Sequence, residues 1–143
     1  MAERLSRARL ERISHGKYRA ENGRGGEIVV GDGTGSDFTP GELLMAAIAA
    51  CSSIDVDYIV SQRAEPEEFV ATAQGRKVTD EQGNHLVDLA VEFDLDFPAS
   101  ESGARAEEVV QRSIDQSRDR LCTVGRTVQI GTPLTIERVR PKD

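Results

Sequence analysis

Tryptophan is absent from this 143-residue chain, and it holds only two Tyr and four Phe. A core with so few rings depends on aliphatic side chains. A lone domain of this size buries about two-thirds of its unfolded surface, so a core shared within an oligomer is expected. Two cysteines exclude a disulfide framework, and with two histidines they are too sparse for a zinc cage. A basic excess is also missing: 18 Lys and Arg face 25 Asp and Glu, a net charge of −7. Nucleic acid and anionic membranes both select positive surfaces, so neither is expected as a partner. The longest apolar run, residues 43–51, falls short of the roughly 20 residues that cross a bilayer. No charged, apolar-cored leader opens the chain. These absences leave one acidic, cytoplasmic domain over residues 1–143, with residues 1–9 as a flexible or dimer-contacting arm.

What is present reads as α+β. Residues 10–18 are polar with scattered apolar positions, a weak strand or arm. Residues 27–30 (EIVV) form a β-branched strand, preceded by the turn-forming Asn22-Gly23-Arg24-Gly25-Gly26. Thr39-Pro40 starts a helix, with Thr at the cap, Pro at the first helical position and Glu42 at capping-box spacing. That helix is expected over residues 40–62. It is apolar all round through its first turns, as in a central helix buried on several sides, and Ala46, Ala47, Ala49 and Ala50 allow a second helix close approach. Strands are expected at 68–73 and 86–97, the latter alternating Val91, Phe93, Leu95 and Phe97 with Glu92, Asp94 and Asp96. An amphipathic helix over 104–120 turns Val109, Val110, Ile114 and Ser117 to the core. A short helix over 123–129 and a last strand over 135–139 close the order ββ-α-ββ-α-(α)-β, with antiparallel pairing.

The chemistry rests on Cys51 and Cys122. Cys51 lies about three turns into the central helix. A free Cys there is also an ordinary small core residue, and no helix terminus is at hand to lower its pKa. An unperturbed thiol, pKa about 8.5, is only roughly 3% ionised at pH 7, so activation needs a guanidinium. Asp55, one turn on, pushes the other way. Cys122 falls at a break between helical segments, with Arg118, Arg120 and Arg126 near it in sequence, a setting suited to thiol exchange. Other constellations are weaker. The segment 23–26 lacks the Lys-Ser/Thr of a phosphate loop, Glu65, Glu67 and Glu68 read as a solvated face, and His15 and His85 are isolated.

Residues 40–56, PGELLMAAIAACSSIDV, resemble the first-cysteine signature of the OsmC/Ohr family, the osmotically inducible protein C and organic hydroperoxide resistance proteins. Residues 117–124, SRDRLCTV, resemble its second-cysteine segment. The likeness runs from about Leu10 to Val139. Leu43-Leu44 and Ile54-Asp55-Val56 look closer to the uncharacterised OsmC-like branch than to the hydroperoxide-resistance branch. The resemblance implies an intertwined homodimer, with two central helices between β-sheets and the sites at the interface. It implies no metal or organic cofactor. It also implies peroxidase chemistry, with Cys51 as the peroxidatic thiolate and Cys122 as the resolving thiol of a disulfide that a dithiol reductant reopens. That reductant is of lipoyl, thioredoxin or small-thiol type.

One position departs from the pattern. The hydroperoxide branch places a carboxylate directly after the Pro, paired with the Arg that activates the thiolate; here that position is Gly41. Glu42 lies nine residues before Cys51, about 180° around the helix. The activating Arg would come from the N-terminal strands or the loop after them, where Arg19 and Arg24 are the candidates. Two other readings stand beside the peroxidase: a non-catalytic member of the fold that binds a small apolar ligand, and a redox sensor.

Overall fold

The computed structural model describes residues 3–139. They divide into two compact units, residues 3–46 with 74–89 and residues 47–73 with 90–139.

In the first unit, β1 (Arg9–Ser14), β2 (Lys17–Glu21) and β3 (Glu27–Gly31) form an antiparallel sheet in sequence order. The stretch expected as one weak strand or arm is thus two strands. Its alternation was hidden because the chain reverses at His15-Gly16, where Gly16 takes φ 68°. Register fixes what each face carries. Leu10, Ala20 and Ile28 lie opposite one another, as do Arg12, Tyr18 and Val30, and Ala20 and Val30 are buried. The other face holds Arg9 paired to Glu11 at 3.1 Å and to Glu21 at 3.5 Å, together with Arg19, which lies opposite Glu11 and Val29.

Helix α1 (Pro40–Val60) begins at the expected residue. The Thr39 N–H donates to Glu42 Oε1 at 2.8 Å and the Glu42 N–H to Thr39 Oγ1 at 3.2 Å, a complete capping box. At 21 residues, α1 is long and apolar enough by length and composition to cross a bilayer, which corrects the shorter estimate from the unbroken run. The run stops at Cys51, but the remaining turns stay mostly apolar around Asp55 and Asp57. Only Val56 and Val60 are fully buried, while Ile54 stays 57% and Tyr58 74% exposed. Within one chain, α1 is not covered on the several sides that its sequence led us to expect.

Strands β4 (Glu68–Asp80) and β5 (Gly83–Asp96) form a hairpin, each longer than the sequence pattern alone marked out. The Gln82 N–H donates to Asp80 Oδ1 at 2.8 Å in the turn, and Val91, Phe93 and Leu95 keep the expected alternation.

The second unit has an aliphatic core. Val56 and Val60 of α1 meet Val109 of α2 (Glu101–Gln116), with Phe69, Phe93, Leu95, Val110 and Ile114 packed around them. Phe69 and Phe93 meet edge to face, ring centroids 6.0 Å apart. Helix α2 starts three residues earlier than expected because Ser100 caps it, its Oγ accepting from the Gly103 N–H at 3.1 Å. It also ends earlier. Residues Ser117–Leu121 wind into a π-helical turn, after which α3 (Thr123–Gln129) begins. The expected strand over 135–139 does not form. Leu134, Ile136 and Val139 are 81%, 88% and 91% exposed. Thr135, Ile136 and Val139 supply β-propensity, but a strand also needs a pairing edge.

Candidate active site: a two-thiol cluster

Both cysteines belong to the second unit and both are free thiols, Cys51 half-buried and Cys122 buried. Cys122 closes the π-helical turn in an extended conformation and caps α3, its Sγ accepting from the Gly125 N–H at 3.2 Å. Glycine at 125 is what admits the sulfur, since a Cβ there would lie 3.0 Å from it. The fold makes Cys122 and the Val124 backbone neighbours of the Cys51 thiol, near enough to act on its ionisation. The helical break expected at Cys122 is therefore present.

The electrostatics of Cys51 are mixed. Burial pushes its thiol above the ordinary range. The Val124 N–H opposes this, while the neighbouring Cys122 thiol and the Asp55 carboxylate add to it. Among the described residues no guanidinium figures among the groups acting on this thiol. Asp55 is half-buried and accepts a hydrogen bond from Ser117 Oγ at 2.8 Å. Ser117 itself is 1% exposed. Periodicity places Ser117 only on the core face of α2; its hydroxyl, and the π-turn it opens, carry no legible signal in the sequence.

Glu42 is engaged in the capping box, which holds its carboxyl below the usual range. Gly41 faces open space, so the carboxylate of the hydroperoxide branch is not missing for want of room. Arg19 sits on the charged face of the three-stranded sheet, and Arg24 is exposed in the β2–β3 turn, its own N–H donating to Asn22 Oδ1 at 2.9 Å. Both belong to the first unit. Arg126 is half-buried on α3 and helps to hold the Asp119 carboxyl below its ordinary range, after the larger effect of Arg118. Among the described residues, no cluster of His, Cys, Asp and Glu could hold a metal ion.

A model of the OsmC-like protein family matches residues 33–137. Proteins of Mycobacterium tuberculosis and Mycobacterium bovis, both named as uncharacterised, are 31% identical over 132 residues, covering 91% of this chain and 93% of their own. Among solved structures, a hypothetical protein from Aquifex aeolicus matches with a TM-score of 0.73 at 19% identity over 91% of each chain. An OsmC-like protein from Mycoplasma pneumoniae matches with a TM-score of 0.70 at 16% identity, over 90% of this chain and 89% of its own. An organic hydroperoxide resistance protein from Legionella pneumophila matches at 0.58 and 17% identity, over 90% and 92%. At these identities the solved structures share the α+β fold with this chain.

Proposed function

The chain belongs to the OsmC-like family, and from that premise we propose that it is a thiol peroxidase that reduces organic hydroperoxides or hydrogen peroxide. One observation carries the reading: two free cysteines, distant in sequence, are neighbours in the fold, and one of them is partly open to solvent. The substrate class is carried over from the Legionella protein of the same fold, which is named for organic hydroperoxide resistance.

In this cycle the Cys51 thiolate attacks the outer oxygen of the O–O bond. The sulfur gains that oxygen as a sulfenic acid, and an alcohol or water leaves with a proton. Cys122, deprotonated, then attacks the sulfenic sulfur; hydroxide leaves as water and a disulfide forms. A dithiol reductant of lipoyl, thioredoxin or small-thiol type returns both thiols by two exchanges. Cys51 suits the first role because it is the more exposed sulfur, on a rigid helix. Cys122 suits the second because it sits at the joint between two helical segments, beside Cys51.

A raised thiol pKa works against the first step, so activation requires a cation brought to Cys51. We propose that the working species is a homodimer and that its assembly supplies this guanidinium, with Arg19, Arg24 and Arg126 the residues to test. Exposed Ile54 and Tyr58 on α1 support a partner surface there. A second reading, a redox-sensing or ligand-binding member of the fold, draws support from the same raised pKa.

The deciding experiment is turnover of cumene hydroperoxide, tert-butyl hydroperoxide and hydrogen peroxide by purified protein, with monothiol and dithiol reductants. The peroxidase reading expects turnover with a dithiol, abolished in Cys51→Ser. Absence of consumption with every peroxide and reductant overturns it in favour of the second reading.

A further inference from the structure

The geometry points to Ser117 and Asp55 as a positioning bridge that holds Cys122 in register with Cys51. Ser117 is bonded at both of its ends. Its hydroxyl donates to Asp55 Oδ2 at 2.8 Å, and its carbonyl accepts the Cys122 N–H at 2.9 Å, the wide hydrogen bond that defines the π-turn. Asp55 in turn stands one helical turn after Cys51 on the same face of α1. A continuous path therefore runs from the helix that carries the first thiol, through Asp55 and Ser117, to the backbone of the second. Nothing else in the sequence requires a polar residue at 117, where the α2 stripe of Ala106, Val109 and Ser113 continues into the core. A hydroxyl buried to 1% exposure and aimed at a half-buried carboxylate is held there by the bond it makes.

The π-turn gives this bond its consequence. One extra residue per turn displaces everything after it relative to α-helical register, so the direction in which Cys122 points depends on where the turn is anchored. The anchor is Ser117. Gln129 Nε2 adds a brace from α3, donating to the Arg118 carbonyl at 3.2 Å. With the anchor in place, the thiol of Cys122 is presented to Cys51 before any oxidation occurs. Disulfide closure then requires little rearrangement.

The inference rests on reading the two cysteines as an exchanging pair, but not on hydroperoxide as their oxidant. It is tested by equilibrating the full chain with oxidised and reduced glutathione. The two thiols and one oxidised glutathione give the Cys51–Cys122 disulfide and two reduced glutathiones, and the equilibrium constant is the effective concentration of one thiol toward the other. Ser117→Ala and Asp55→Ala should each lower it about tenfold. The double variant should fall no further than either, because the two residues act as one unit. Asp55→Asn keeps an acceptor for the hydroxyl and should stay within about threefold of the wild type.

Unchanged constants in Ser117→Ala and Asp55→Ala would overturn the bridge, as would Asp55→Asn falling as far as Asp55→Ala. If Ser117→Ala fails to fold by near-ultraviolet circular dichroism, the two Asp55 variants decide the matter alone. A wild-type chain that forms no disulfide at any glutathione ratio also overturns it. A chain that closes the disulfide with glutathione but consumes no hydroperoxide leaves the bridge standing and removes only the peroxidase reading.

Discussion

At Cys51 the balance of forces is set by neighbours that differ in kind. Burial and the Asp55 carboxylate both favour the protonated thiol, and only the Val124 N–H favours the thiolate. Within a single chain, a pKa above the ordinary value means that less than roughly 3% thiolate is present at pH 7. Iodoacetamide alkylation of the assembled protein that already rises near neutral pH would therefore report the cation its assembly is proposed to bring. Asp55→Asn removes a negative charge one turn away and should move the rate–pH curve to lower pH; a curve that stays in place would exclude Asp55 from the electrostatics. The stability consequence has a definite sign. A thiol whose folded pKa is raised contributes stability below its unfolded pKa, and that contribution is lost as pH climbs through the folded value. Arg19→Ala, Arg24→Ala and Arg126→Ala, assayed the same way, should leave one variant with its curve moved to higher pH, and that variant identifies the activating cation. Both cysteines were legible in the sequence because their flanking residues form recognisable segments. The supporting atoms were not, since a backbone N–H and a serine hydroxyl acquire meaning only when distant segments meet.

Among the elements, those with local causes were the most legible. Thr39-Pro40 and Glu42 fix the start of α1 through hydrogen bonds within four residues, and the alternation of Val91, Phe93 and Leu95 fixes a strand through its solvent face. Elements decided by tertiary context were not. The break of α2 into a π-turn has no local signature in Ser-Arg-Asp-Arg-Leu, and the segment 135–139 has a strand's propensity without a pairing edge. The start of α2 offers a direct check of element packing. Gly103 is buried in its first turn, where a Cβ would collide with the Pro98 carbonyl oxygen. That atom is backbone and cannot swing aside. Gly103→Ala should therefore destabilise the fold by about 1–3 kcal/mol, despite the better helix propensity of Ala, and thermal denaturation should register the loss. A melting temperature equal to or above the wild type would show that the first turn has room to shift.

For the whole molecule, the decisive feature is how little of the chain is buried. Only Ala20, Val30, Val56, Val60, Ala106, Val109 and Cys122 form the fully buried apolar set among the described residues. That is a thin core for a chain whose central helix is apolar all round through its first turns, and the proposed dimer would complete it. Light scattering at micromolar concentration should give twice the chain mass of 15.6 kDa, with more than about 2,000 Å² buried between subunits; a mass near 15.6 kDa would contradict the dimer. Replacing Ala47 or Ala50 with Leu should weaken the assembly by about 1–3 kcal/mol through overpacking. The activity proposed for that assembly depends on a division of labour between its two sulfurs. The most direct measurement is intact-mass spectrometry of the Cys122→Ser variant after one equivalent of cumene hydroperoxide, with and without dimedone. The account predicts one oxygen gained at Cys51, trapped as a single dimedone adduct, whereas the wild type loses two hydrogens to a Cys51–Cys122 disulfide. An unmodified Cys51 in both proteins after several equivalents of hydroperoxide would contradict it.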